Sequence, residues 1–260
     1  MKKILFITSS VLLLLICFYS WVDARWGGWG GSGSWWGDII WLAVAWIIYA
    51  IYEVRRRKMI KKAKQDLENA LKEDSSWDVK WLEKVVSEVF MKYQNAWSEK
   101  RLLSVKDYMT NSYYEKARKT LEQDLKWKKN IIKNITIQGL TLMSVRDNPW
   151  KDWDMFAMEV SASMIDYTVD ENTWNFICST MTRKKHEWNG KYEKRAMNES
   201  SDFKEYYIFI RSNGKWLLNN IKQKFSIVWD IIKLSEKDLR KVLENEKNSD
   251  EVNDDVFYKE

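Results

Sequence analysis

Few residues in this chain have the type and setting to do chemistry. Asp166 and Tyr167 close one alternating apolar run, and Glu205 precedes Tyr206 in another. A carboxyl group buried beside tyrosines holds its proton to higher pH and could act as a general base. That is the enzymatic reading: an isomerase- or dehydratase-like site. Against it, Asp166 also reads simply as the end of a strand. Histidine chemistry is poorly supplied. The 260 residues contain one histidine, His186, set among Lys184, Lys185 and Glu187 in a loop context. Of the two cysteines, Cys17 lies in an apolar leader and Cys178 in the body. A disulfide framework and a Cys-based zinc site are therefore excluded. No cofactor, metal site or catalytic residue is assigned.

A second group of residues could bind rather than react. Tyr93, Trp97, Tyr108, Tyr113, Tyr114, Tyr167, Tyr206 and Trp216, with Asp166, are the candidates for a pocket lining. The plainer reading of such stripes is core packing. A third group is cationic: Arg55, Arg56, Arg57, Lys58, Lys61, Lys62 and Lys64 directly follow an apolar run. Such a cluster sets topology by the positive-inside rule. It also suits anionic lipid headgroups, at about 1 kcal/mol per charge near the surface. A further basic segment, Arg183, Lys184, Lys185, Lys191, Lys194 and Arg195, would suit RNA or ribosomal phosphates. Read plainly, it is a solvated loop.

The elements that must position these groups follow from patterning. Residues 1–24 read as a signal peptide: Lys2 and Lys3, an apolar core, and small residues ending at Ala24. An uncleaved membrane anchor is the alternative. Residues 25–37 form a Gly/Ser/Trp linker. Residues 38–54 are expected to be a transmembrane helix, and 55–77 a basic helical stalk. Leu82, Val85, Val86, Val89, Phe90, Tyr93 and Trp97 repeat with helical period, which predicts a helix over 78–97. Shorter helices follow at about 99–109 and 111–126. The period then changes to two. Strands are predicted over 131–145, 155–167, 175–181, 203–211 and 215–225, the last two joined by Asn213-Gly214, a strong hairpin signal. Helices followed by an antiparallel sheet make an α+β fold. Residues 230–260 read as an acidic tail. With a net charge of +6 and 31% charged residues, the chain is neither wholly disordered nor a polytopic membrane protein.

The order of certain segments resembles a known family. Lys92-Tyr93-Gln94-Asn95-Ala96-Trp97 ends the main helix, Tyr108-Met109-Thr110 follows, and Asn130 opens the strands. Asp166-Tyr167 with Val169-Asp170 closes a strand. Phe203-Lys204-Glu205-Tyr206, Phe209-Ile210-Arg211 and Gly214-Lys215-Trp216-Leu217-Leu218 complete the set. Together they resemble the Tim-forty-four-like domain, over about 78–225, within an expected domain of 78–229. The family is named for the mitochondrial inner-membrane subunit that tethers the import motor to the protein-conducting channel. The resemblance implies a cone-shaped fold like that of nuclear transport factor two, with helices on a curved sheet. It also implies membrane association and a tethering role: a non-enzymatic adaptor in the cell inner membrane, single-pass, with its soluble domain in the cytoplasm. Its partners would be the lipid bilayer and a protein of the translocation, chaperone or ribosome machinery. Oligomeric state stays open. The segment 183–201 and the acidic tail depart from the family.

One count stands out: 17 Trp against 9 Gly. Trp26, Trp29, Trp35 and Trp36 lie in the linker, and Trp127, Trp150, Trp153, Trp174 and Trp188 in turn-like contexts, where glycine is the usual residue. This pattern fits UGA codons read as Trp in this sequence but as Gly in the cell. A truly Trp-rich protein with an aromatic membrane belt is the alternative. Trp97 and Trp216 match family tryptophans. Trp41, Trp46, Trp77, Trp81 and Trp229 stay open.

Overall fold

The computed structural model describes residues 35–148, 154–179 and 195–223. The expected leader, nearly all of the linker, most of the 183–201 segment and the acidic tail lie outside them, as do His186, Trp150, Trp153, Trp188 and Trp229. The chain divides into two compact units, Met1–Arg57 and Lys58–Glu260.

Helix α1 spans Trp35–Glu73, so the helix already begins within the expected linker. The transmembrane helix expected over 38–54 is not found: among the described residues no helix is long and apolar enough to cross a membrane. A span needs about 20 predominantly apolar residues. Here the apolar stretch that includes Trp41 to Tyr52 gives way to Glu53 and then to the Arg55–Lys58 cations. Within the second unit the expected stalk does not stand free. Met59, Ala63, Leu67 and Ala70 recur on one face, and Met59, Ala63 and Ala70 are buried. Met59 packs with Met143, Met155, Tyr206, Ile208 and Ile210, while Ala63 and Ala70 join the main core.

A 3-10 turn, Ser75–Trp77, follows. Helix α2, Val79–Ser98, is capped by Asp78, whose carboxylate accepts from the Lys80 N–H at 2.7 Å and the Trp81 N–H at 3.3 Å. It ends in a left-handed residue, Lys100 (φ 56°), with the Arg101 N–H on the Ala96 carbonyl at 2.8 Å. This is the 6→1 closure of a Schellman motif. The expected helix at 99–109 is a 3-10 stretch, Leu102–Tyr108, and α3 covers Asn111–Asp124. Thr110 caps α3 through the Tyr113 N–H.

The sheet holds five described strands: β1 Lys128–Arg146, β2 Met155–Asp170, β3 Phe176–Ser179, β4 Ser201–Ser212 and β5 Lys215–Lys222. All pairs are antiparallel, in the order β1-β2-β4-β5, with β3 beside the far end of β2. Three register shifts along the β1–β2 pair, and Asn134 at φ 53°, bend the sheet. The α+β reading and the curved antiparallel sheet are thus present. Asn213 (φ 49°) and Gly214 (φ 73°) both have positive φ, the requirement of a type I′ hairpin. The strands bury alternate residues on opposite faces. Phe156, Met158, Val160, Ala162, Tyr207 and Phe209 enter the core under the helices, with Val86, Val89 and Phe90. Met155, Ala157, Tyr206, Ile208 and Ile210 face the other way, toward Met59.

The tryptophans separate into two kinds. Trp77 is fully buried and Trp216 nearly so, with ring centroids 4.9 Å apart. Trp127 and Trp174 are exposed. Only Trp174, at φ 59°, carries the left-handed backbone that glycine relieves; Trp127 does not. Its turn is otherwise well made: the Asp170 carboxylate accepts from the Asn172 and Thr173 N–H groups. A left-handed non-glycine residue costs about 1–2 kcal/mol. We therefore expect Trp174→Gly to raise stability by about 1 kcal/mol in denaturant unfolding.

Candidate functional site

A cavity of about 780 Å³ opens between the C-terminal half of α2, the start of α3 and the sheet. Helix α2 supplies Tyr93, Gln94 and Trp97, and α3 supplies Tyr113. Strand β1 supplies Asn130 and Ile132, and β2 supplies Met164 and Asp166. Strand β4 supplies Ser201 to Glu205, while Ile221 and Gln223 close the far side. Spacing on α2 explains its share: positions 93, 94 and 97 lie on one helical face.

The wall is aromatic. The Tyr93 ring lies 5.8 Å from that of Trp97 and 6.1 Å from that of Tyr113. The Tyr113 hydroxyl donates to the Tyr93 hydroxyl at 3.3 Å. Behind the wall, Gln94 Nε2 donates to the Tyr207 hydroxyl at 3.2 Å, and that hydroxyl donates to Glu205 Oε2 at 3.4 Å. The cavity end is held by Ser98, which donates to the Asn130 carbonyl at 2.8 Å and accepts from the Ile132 N–H at 3.3 Å.

Burial governs the electrostatics here. It pushes the Glu205 carboxyl up to about 7, helped by the nearby Asp166 charge and opposed by hydrogen bonds from Tyr207 and Gln223. It pushes the Tyr93 hydroxyl up to about 12, and those of Tyr113 and Tyr207 well above the ordinary value. For Glu205 a raised native pKa means that the folded chain holds a proton the unfolded chain has lost, between about pH 4.5 and 7. Stability therefore falls as pH rises through that window. Glu205→Gln is expected to be more stable than the parent at pH 8 by about 1–2 kcal/mol, after allowance for solvent screening, and equal to it near pH 4.5. Denaturant unfolding at the two pH values checks this.

Of the residues expected to line a pocket, the structure brings together Tyr93, Trp97 and Asp166, along with Tyr113 and Glu205. Five others fall elsewhere. Tyr167 follows Asp166 on a strand and so faces the opposite side, packed on Phe176 in a separate cluster. Tyr206 is turned away for the same reason, and donates to the buried Glu159 at 3.0 Å. Trp216 is core, against Trp77 and Phe156. Tyr108 carries Lys92 over its ring at 3.9 Å and accepts from the Lys92 ammonium. Tyr114 lines a different groove, beside Leu102, Leu121 and Arg118. Gln94, Tyr207 and Gln223 were not foreseen. For Tyr207 a signal existed, since it shares a strand face with Glu205 at i+2.

The cationic run lies on α1. Arg55, Arg57, Lys58, Lys61, Lys62 and Lys64 are exposed, and Arg56 is half-buried. Arg57 pairs with Glu53 at 3.6 Å. Arg195, from the other basic segment, is exposed and pairs with Glu199 at 2.6 Å.

No family model matches the chain, and neither does any curated protein sequence. Among solved structures, the intermembrane space region of the chloroplast protein ARC6 is similar over 56% of this chain and 95% of that one. The identity is 10% and the TM-score 0.34, too slight a likeness to carry an argument.

Proposed function

We propose that this chain is a membrane-anchored, non-enzymatic adaptor. Its α+β unit, on the cytoplasmic side of the cell inner membrane, holds a protein partner. The observation that carries the reading is the surface of α1 before the cationic run. Trp41, Leu42, Trp46, Ile48 and Tyr49 are each more than half exposed. A helix whose large apolar side chains lie open on several faces calls for a lipid or protein cover. The exposed cations that follow suit an anionic headgroup layer. The order of segments resembling the Tim-forty-four-like family, the bent sheet over helices and the open cavity support a cone that receives a partner.

Two measurements test this. Replacing Lys61 and Lys62 with Gln should weaken the preference of the full chain for anionic over neutral vesicles by about 2 kcal/mol, roughly thirtyfold. An unchanged preference in competitive flotation would remove the headgroup contact. Cross-linking in native membranes should then join residues 78–223 to a translocase, chaperone or ribosomal subunit. Self-contacts alone would count against the adaptor.

The place of Glu205 in the cavity lining, together with Tyr93 and Tyr113, favours a second reading, an enzyme with Glu205 as general base. Its carboxyl, at about 7, would be matched to neutral pH. That role needs a substrate carbon in the cavity, and its mark is solvent deuterium exchange into a bound ketone, lost in Glu205→Gln.

A further inference from the structure

Among the described residues the sheet face of the cavity carries carboxyl groups and no cation. Asp166 and Glu205 lie on this face, while Asp202 and Lys204, out of step with Glu205 on β4, point to the opposite face. Asp202 is occupied by Gln138 Nε2 at 2.7 Å. Glu205, half-buried, meets neutral donors, the Tyr207 hydroxyl and the Gln223 amide, and a like charge at Asp166. Among the described residues no cation pairs with it. A half-buried carboxylate without a cation is costly, and such groups are ordinarily paired or neutralised. The same cavity is lined by the contiguous rings of Tyr93, Trp97 and Tyr113. Aromatic faces attract organic cations through the ring quadrupole and pack their apolar stems. The volume, about 780 Å³, lies within the ordinary range for small-ligand pockets.

We propose that this cavity binds an organic monocation, an ammonium or guanidinium group on an apolar stem, with the charge at Glu205 and the stem against Tyr93, Trp97 and Tyr113. An anion would meet Glu205 and Asp166, and a neutral ligand would leave Glu205 without a counter-charge. The inference deepens the adaptor reading, since a lysine or arginine side chain of a partner carries this chemistry. A free alkylamine carries it too. Binding by the ionised carboxylate has a sign. The groups facing Glu205 are Tyr93 and Gln94 from α2, Tyr113 from α3, Asp166 from β2, Tyr207 from β4, and Gln223 beyond β5. The three tyrosines titrate far above neutrality. Affinity for a cation should therefore rise with pH as Glu205 loses its proton, by about tenfold between pH 6 and 8.

The test is calorimetric titration of the full chain in detergent micelles with four probes: n-butylammonium, n-butylguanidinium, butyrate, and a neutral heptapeptide with one central arginine. The small cations are expected to bind with dissociation constants on the order of 1 mM, tightening with pH, and butyrate not to bind. Glu205→Gln should weaken cation binding about tenfold or more, and should at the same time raise stability at pH 8. A misfolded variant could not produce that second change. If the peptide binds at least about tenfold tighter than butylammonium, the cation comes from a partner chain and both readings gain. If butylammonium binds as tightly as the peptide, the cation site stands and the adaptor loses this pocket. The proposal is overturned if no cation binds, if butyrate binds equally, or if Glu205→Gln leaves affinity unchanged.

Discussion

Arg211→Met should lower stability by about 3–5 kcal/mol at pH 8, and by roughly half as much at pH 5. Arg211 Nη1 lies 2.5 Å from Asp74 Oδ2 and 3.3 Å from Asp154 Oδ2. One guanidinium thus ties the residue after α1 to the loop before β2 and to strand β4. All three side chains are shielded, Asp154 completely. The two carboxyls shift in opposite directions. The hydrogen bond from Arg211 leads in holding Asp74 down at about 2, while burial leads in pushing Asp154 up to about 6. Asp74 therefore contributes stability above its ordinary value that is lost as pH falls through about 2. Asp154 works the other way: the native chain binds its proton first, so stability falls as pH rises from 3.8 through about 6. Without Arg211, Asp154 above pH 6 is a buried charge with no cation. At pH 5 it is largely protonated, and the chief loss is the Asp74 contact. Methionine keeps the packing over the Trp216 ring, 5.9 Å from the guanidinium. Denaturant unfolding at the two pH values reads the difference, and an equal loss at both would refute this assignment.

Trp77→Gly should cost about 4 kcal/mol or more, opposite in sign to Trp174→Gly. The Trp77 ring has no solvent exposure and meets Trp216 edge-on. Trp216 in turn meets Phe156 at 4.9 Å, and Phe156 stacks on Phe209 at 4.9 Å. Removing the indole opens a cavity that this rigid stack cannot close. Part of the loss is offset, because the Trp77 Nε1 is buried without a partner among the described residues. The pair of variants bears on the tryptophan excess. A chain whose cell reads glycine at 174 gains by it, while glycine at 77 would empty the core. Equal effects at the two sites would mean that packing does not separate the tryptophans.

The elements were legible because their periods are clean. Val86, Val89, Phe90 and Tyr93 placed α2 correctly, and Asn213-Gly214 placed the last hairpin. The 3-10 stretch at Leu102–Tyr108 read as a helix because its apolar spacing alone does not distinguish three residues per turn from 3.6. The pocket was half legible. Tyr93 and Trp97 share a helix face with Gln94, but Tyr167 and Tyr206 were grouped with Asp166 and Glu205 by sequence adjacency. In a strand, adjacency guarantees opposite faces. Patterning likewise could not show that Met59, Ala63 and Ala70 pack on the body, because their charged neighbours dominate that segment.

The membrane anchor is tested most directly in cells. Intact cells are treated with protease from outside, a separate membrane fraction is washed with alkaline carbonate, and the peptides of 78–223 are followed by mass spectrometry. The adaptor account predicts that the chain stays in the pellet and that these peptides survive until the membrane is breached. Release by carbonate, or digestion of the α+β unit in intact cells, would contradict it.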